Sequence, residues 1–355
     1  MTPEDRVSAL AARVAPTDPA WHERAWERLD ALTKPPRSLG RLEALAAKVA
    51  TVQRTVTPSV EDKTIVLMAG DHGVAKHGVS PYPQEVTAQM VANFASGGAA
   101  ISQLARWCGA DIRLVDVGVA SALPELPGLL RRKIARGTAD MTAGPAMKRE
   151  EAAAAVLVGA ELAAEAARAG ATLIGAGEMG IGNSTAASAL AAVLCECDAS
   201  GVVGPGTGLD AEGMARKEAV VRLALAVNRP DPADSLGALA AVGGLEIAGL
   251  AGVVLGSAAT GVCVVADGFI SGAAALAALR MAPAVRDYLF ASHRSAEPGH
   301  ARVLCALDLQ PVLDLDMRLG EGSGAALAMG IVDAACRVMS GMRTFAEAGV
   351  SEARA

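Results

Sequence analysis

Aromatic side chains are scarce in this chain. Three Trp, two Tyr and four Phe amount to 3% of 355 residues, although hydrophobic residues as a whole reach 52%. A chain of this length buries a sizeable core as one large domain or two. That core must be built mostly from Ala, Val, Leu and Gly. Positive charge is not in excess either: 32 basic residues stand against 38 acidic ones, a net charge of −6. This argues against a broad nucleic-acid-binding surface and leaves room for a local basic site facing an anionic small molecule. The six cysteines (Cys108, Cys195, Cys197, Cys263, Cys305 and Cys336) lack a pairing pattern. Only Cys195 and Cys197 are close, and no second pair completes a metal-ligand set, so no metal is expected. Such usage fits reduced thiols in the cytoplasm. No secretory leader is legible: Glu4, Asp5 and Arg6 are charged and no long apolar run follows. Residues 247–266 carry no charge and have about the length of a membrane span. However, Gly249, Gly252, Gly256 and Gly261 interrupt them and their end turns valine-rich. A buried helix followed by a buried strand is therefore predicted, in a protein that neither spans a membrane nor binds nucleic acid.

The continuous apolar run 63–69 (KTIVLMA) reads as a parallel strand buried on both faces, with a second strand at 111–119 (DIRLVDVGV), a third, buried one at 171–175 (ATLIG) and another at 262–266. Helical patterns alternate with them. Two lie within 4–32, separated by Pro16 and Pro19. A third carries Leu42, Leu45, Val49 and Val52 behind Ser38 as N-cap. Pro83 suits the first turn of another, with Val86, Met90 and Phe94 on one face. Further helices are predicted at 152–169, 185–194, across 236–256, at 268–279 behind Asp267 as cap, and at 325–339; residues 123–142, with Arg131, Arg132 and Lys133, read as irregular. The alternation predicts an α/β fold with a mainly parallel sheet flanked by helices. Residues 1–60 and 330–355 are expected to form a smaller helical portion beside a main α/β domain at 61–329. The tail SEARA reads as short and disordered.

Chemistry concentrates in glycine-rich stretches. In LGEGSGAA (319–326), Glu321 stands between Gly320, Gly322 and Gly324, residues that let backbone approach a ligand closely. Burial would raise that carboxylate toward a useful base; the other reading is a glycine turn with one solvated acid. GAGEMGIGNSTAASAL (175–190) repeats the grammar with Glu178. There a strand delivers a glycine loop and a helix N-terminus bearing Ser184 and Thr185, an arrangement suited to phosphate at the carboxyl end of a sheet. GVVGPGTGLDAEGMARK (201–217) offers Gly204, Gly206, Gly208, Thr207 and Lys217, without the ending of a Walker A loop. Its other reading is a set of tight turns. Gln89 carries both donor and acceptor and can read a heterocycle edge. Asp71-His72 is either a metal or acid–base pair or a loop-stabilising acid beside a hydrogen-bonded histidine. Lys34 and Arg37 either meet an anion or are surface charges. SHRSAEPGH (292–300) is a polar island without a nucleophile elbow.

TKPPRSLGRLE, AGDHGVAKHGVSPYPQEVTAQMV, GEMGIGNSTAASAL, GPGTGLD with the later RK, SHRSAEPGH and RLGEGSGAA occur in this order from about residue 33 to the final helix. Together they resemble the nicotinate-nucleotide:dimethylbenzimidazole phosphoribosyltransferases of cobalamin biosynthesis. The resemblance implies transfer of phosphoribose from nicotinate mononucleotide to dimethylbenzimidazole, giving α-ribazole 5′-phosphate and nicotinate. It also implies a Rossmann-like main domain, a small domain from both chain ends, a homodimer and no cofactor. Glu321 then matches the general base and Glu178 the other active-site carboxylate. Ser80, Tyr82 and Gln89 match positions around the benzimidazole, with Met179 and Leu319 as apolar walls. Gly180, Asn183, Ser184, Thr207, Gly208, Lys217 and Ser292 match the nucleotide side. The chain departs mildly: GEGSG replaces the expected GEGTG, which keeps a hydroxyl, and the first 30 residues match least. Two alternatives remain at this level. One is the same chemistry with another acceptor (adenine, a different benzimidazole or a phenol); the other is a non-catalytic nucleotide-binding protein, which would not need a base beside a second pocket.

Overall fold

The computed structural model describes residues 1–351; the end of the SEARA tail, residues 352–355, lies outside the described residues. The strands are β1 (Lys63–Gly70), β2 (Ala110–Gly118), β3 (Leu130–Arg131), β4 (Leu173–Met179), β5 (Cys263–Ala266) and β6 (Leu289–Ala291). They form one all-parallel sheet in the order β3-β2-β1-β4-β5-β6. All eight residues of β1 are buried, as expected where helices cover both faces. The chain builds outward from β1 to β3, returns to the middle, and builds outward again from β4. The order therefore reverses between β1 and β4, and the carboxyl ends of these strands flank a crevice, where open α/β sheets bind ligands. The β1–β4 register sets Met68 opposite Glu178 and Ala69 opposite Met179. Glu178 is thus presented from the strand itself, not from the loop after it.

Several local expectations change. Ser38 caps nothing: the helix Arg41–Gln53 begins behind Gly40, and Glu43 turns back to accept from the amide of Leu39. Pro83 lies just ahead of the helix Glu85–Ser96, whose buried stripe is Thr87, Val91 and Phe94 instead of Val86, Met90 and Phe94. Thr87 is inward because its hydroxyl accepts from the amide of Ile181, tying this helix to the loop after β4. Within the segment read as irregular, Leu130 and Arg131 form the short β3 beside β2. Residues 247–266 resolve as the buried helix Leu245–Ala259 followed by β5.

The shortage of aromatics shows in how helices meet. A Cβ on Gly159, in the helix Arg149–Arg168, would fall on the carbonyl of Gly249, and one on Gly252 would fall on the carbonyl of Val156. The two helices cross backbone to backbone, an approach only glycine permits. Replacing Gly159 by Ala is expected to destabilise the fold by about 1–3 kcal/mol through overpacking. A shift of the urea midpoint at unchanged slope would measure it; an unmoved midpoint would refute the close crossing. A third core cluster joins Ala25, Leu29, Leu32, Ala46, Ala47 and Ala50 to Ala335 and Met339, away from the sheet. Val7 and Val14 belong instead to the main core.

Candidate active site

Three strands end in acids. Asp71 follows β1, Glu178 is the penultimate residue of β4, and Asp267 follows β5. All three are buried, and Glu321 joins them from the turn ahead of the helix Ser323–Gly341. Gly320, Glu321 and Gly322 have φ of +83°, +65° and +84°. Glutamate rarely adopts this left-handed region, so the conformation needs support from its surroundings. Asp267 provides it. Its carboxylate accepts from the amide of Gly322 at 3.0 Å and that of Ala325 at 2.9 Å. The expected cap on the helix after β5 is thus a cap on the last helix, because Gly268 begins the nearer helix with no side-chain bond. Gly320 lacks a Cβ where one would overlap Glu178 Oε1, and one on Gly177 would lie 2.8 Å from the Cα of Gly322. These glycines bring the two glutamate-bearing segments into contact.

The electrostatics follow from crowding. Burial, then the charges of Asp267, Glu246 and Glu321, hold Glu178 well above the ordinary carboxylate range, against a bond donated by the Asn183 amide. Burial, then Asp267, raises Glu321 to about 7. Asp267 is likewise raised to about 7 by burial, against its backbone donors. The base reading of Glu321 thus has its physical premise, and the solvated-turn reading does not, since only 7% of the residue is exposed.

The opposite wall is cationic. Lys217 is fully buried, and its ammonium donates to Ser184 Oγ at 3.0 Å and to the carbonyl of Gly204 at 2.9 Å. Burial lowers it to about 8, partly offset by Glu297. A Cβ on Gly206 would meet Ser184 Oγ at 2.9 Å and Lys217 Nζ at 3.3 Å. Bare backbone, a hydroxyl and an ammonium therefore converge at this point. Glu297 holds the loop by accepting from the amide of Gly206 at 2.8 Å, and Arg318 donates to the carbonyl of Gly206 at 3.0 Å, strapping the loop to the glutamate turn. The cleft lined by Glu178, Met179, Gly180, Asn183, Ser184, Thr207, Leu319 and Glu321 measures about 80 Å³. Larger hollows of about 540 and 610 Å³ lie near Arg149, remote from this chemistry. A ligand cavity usually measures about 300 Å³ or more, so the cleft is narrow with the loop and turn strapped together.

The other candidates occupy distinct places. Ser80 Oγ lies 3.2 Å from Thr207 Oγ1, linking the loops at 78–84 and 204–208. Leu319 (55% exposed) lines the cleft, whereas Tyr82 (52% exposed) and Gln89 are exposed and outside its lining. Gly208 takes φ +119° on the exposed loop that carries Thr207. Ser292 lies beneath the cleft, wholly buried, donating to the carbonyl of Asp267. Thr185 is also fully buried and lies outside the cleft lining. Asp71 accepts from the amide of Ala120 at 2.7 Å, and His72 lies 2.6 Å from Glu246, so both take their loop-stabilising reading. Burial alone would lower His72, but the charge and hydrogen bond of Glu246 outweigh it and the imidazole is raised. Lys34 pairs with Glu43 at 3.0 Å in the interior, and Arg37 stacks 3.6 Å from the Trp26 ring centre while pairing with Asp30. Each is engaged by a carboxylate of the chain itself. Among the described residues, no group of three or more His, Cys, Asp or Glu is arranged to hold a metal. The sequence reading missed the support roles of Asp267, Glu297 and Arg318. An acid directly after an apolar strand was the available signal for Asp267.

Comparison with known proteins identifies the family. A family model described as phosphoribosyltransferase matches residues 14–350. A nicotinate-nucleotide–dimethylbenzimidazole phosphoribosyltransferase of Syntrophobacter fumaroxidans is 52% identical over 349 residues, covering 98% of this chain and 99% of its own. One from Chloroflexus aurantiacus is 53% identical over 348 residues, covering 98% and 99%. The crystal structure of the enzyme so named from Thermus thermophilus superposes with a TM-score of 0.90 at 50% identity, covering 95% of this chain and 100% of that one. A structure of CobT from the same organism gives 0.91 at 50% identity, covering 94% and 100%. The chain belongs to the nicotinate-nucleotide–dimethylbenzimidazole phosphoribosyltransferase family.

Proposed function

We propose that this chain transfers the phosphoribosyl group of nicotinate mononucleotide to dimethylbenzimidazole, releasing nicotinate and α-ribazole 5′-phosphate for the lower ligand of cobalamin. One observation carries the reading. A buried carboxylate raised to about 7, Glu321, faces a glycine cradle with a buried ammonium, Lys217, at the carboxyl edge of the sheet. The substrate's phosphate sits against Lys217, Ser184 and the backbone of 206–208, with Gly180 and Asn183 beside the ribose. The benzimidazole lies between Met179 and Leu319, with Ser80, Tyr82 and Gln89 at its edge.

The chemistry needs little else. Nicotinate leaves C1′ as a pyridinium that becomes neutral at its nitrogen, so its departure requires no acid. One benzimidazole nitrogen forms the new bond to C1′ from the opposite face, which turns a β linkage into an α linkage. The other nitrogen gives its proton to Glu321, leaving the product ring neutral. Burial and neighbouring acids disfavour the charged form of Glu178, which leaves Glu321 as the better local proton acceptor. Orientation between two loops supplies the rest. No cofactor enters the scheme.

The division of residues 1–60 and 330–355 from 61–329 is part of this proposal; the cluster of Leu29, Ala47 and Met339 supports it. So are a homodimer, by family resemblance, and a cytoplasmic setting, supported by six unpaired cysteines. Incubating the purified protein with nicotinate mononucleotide and dimethylbenzimidazole, without added metal, should yield α-ribazole phosphate and free nicotinate by mass spectrometry. Product with adenine or a phenol but none with dimethylbenzimidazole would move the acceptor assignment. No product from any of these acceptors, with nucleotide still bound, would overturn catalysis.

A further inference from the structure

The turn that carries Glu321 is strained, with three successive residues in the left-handed region. Nothing within the turn explains why it holds: Gly322 precedes the last helix without a side-chain cap of its own. The support comes from β5. Asp267, 1% exposed, commits both carboxylate oxygens to the amides of Gly322 and Ala325, at 3.0 and 2.9 Å. The surroundings are shaped to keep it there. A Cβ on Gly324 would lie 2.9 Å from Asp267 Oδ1 and would overlap the His293 ring. Ser292 donates to the Asp267 carbonyl and lies 2.9 Å from His293 Nδ1.

We propose that Asp267 is a positioning residue of the transfer reaction: it clamps the Gly320–Glu321–Gly322 turn so that Glu321 faces the acceptor. The inference rests on the reading of Glu321 as the proton acceptor. The groups around the pair are Glu178 from β4, His293 after β6, and Glu297 and Arg318, which line the same cleft as Glu321. Burial lowers His293, so it supplies no cation to cancel the carboxylate. Asp267 is accordingly the neighbour whose charge lifts Glu321 after burial itself.

Asp267→Asn keeps the shape, removes the charge, and turns an NH2 toward one of the two amide donors. In an enzyme whose wild type makes product, its kcat is expected to fall about 10²-fold, the cost of a misplaced reacting group. KM for nicotinate mononucleotide should stay within about threefold, because the Lys217 cradle does not touch Asp267. The acid limb of the kcat profile should move down by about one pH unit, since loss of a like charge lets Glu321 ionise more readily. In a Glu321→Gln background the same change should cost nothing more. An unmoved acid limb, or an equal loss in the Glu321→Gln background, would overturn the proposal and leave Asp267 a structural cap. If the Asn variant does not fold, Asp267→Glu serves: it keeps the charge and displaces the clamp, so kcat falls and the limb stays. A wild-type kcat for Asp267→Glu, or a shifted limb, would count against the proposal. Failure of the parent reading has a different signature: Glu321→Gln would then be as active as the wild type.

Discussion

Glu321→Gln is expected to lower kcat by about 10²–10⁴-fold, the usual worth of a general base, while nicotinate mononucleotide binds almost as before. The amide preserves the size and the left-handed backbone position but accepts no proton. The pH profile gives the sharper test. Glu321 is raised to about 7 by burial and by Asp267. Wild-type turnover should therefore rise with pH through about 7, as the carboxyl ionises, and level off above. The variant should show low turnover without that limb. Rate and nucleotide affinity falling together by the same factor would assign Glu321 to binding instead.

Lys217→Met should produce the second largest effect, and in the other parameter. The ammonium is fully buried, and its two protein partners are the Ser184 hydroxyl and the Gly204 carbonyl. A phosphate arriving at Gly206 would add a charge-assisted bond worth about 1.5–3 kcal/mol. Its loss is expected to raise the dissociation constant for nicotinate mononucleotide by about 10–150-fold, with little change in affinity for dimethylbenzimidazole. Methionine keeps the apolar stem, so packing around the helix Ala211–Asn228 is largely retained. Calorimetric titration of each substrate alone would separate these outcomes; an unchanged nucleotide affinity would remove Lys217 from the phosphate site.

Much of this architecture is readable from the chain itself, because its signals are local. β1 is an almost continuous apolar run, β2 and β4 are apolar for most of their length, and glycines lie at or just beyond their ends. Glu178 and Glu321 are legible by their glycine neighbours. What stays hidden depends on residues far apart in sequence. Asp267 has the local pattern of a cap for the helix after it, yet its carboxylate serves amides more than fifty residues away. Thr87 looks polar and outward until its bond to Ile181 is seen. Lys34 and Arg37 have the pattern of an anion site, and only packing reveals Glu43 and Trp26 as their partners. The short β3 and β6 are too brief for a periodic pattern, and exist because a neighbouring strand offers a ladder to join.

The strand order bears on how the molecule is made. The crevice lies between β1 and β4, whose first paired residues are Lys63 and Leu173. Everything from β2 to the helix Arg149–Arg168 intervenes, so joining them means closing a very long loop before the pairing offsets its entropy. Parallel pairings of such separation slow folding. A nascent chain can assemble β1 with β2 early, but the helix that carries Glu321 on its leading turn is synthesised near the end. The turn bearing Glu321 is therefore completed during synthesis only after the loop and helix that carry Gly206 and Lys217.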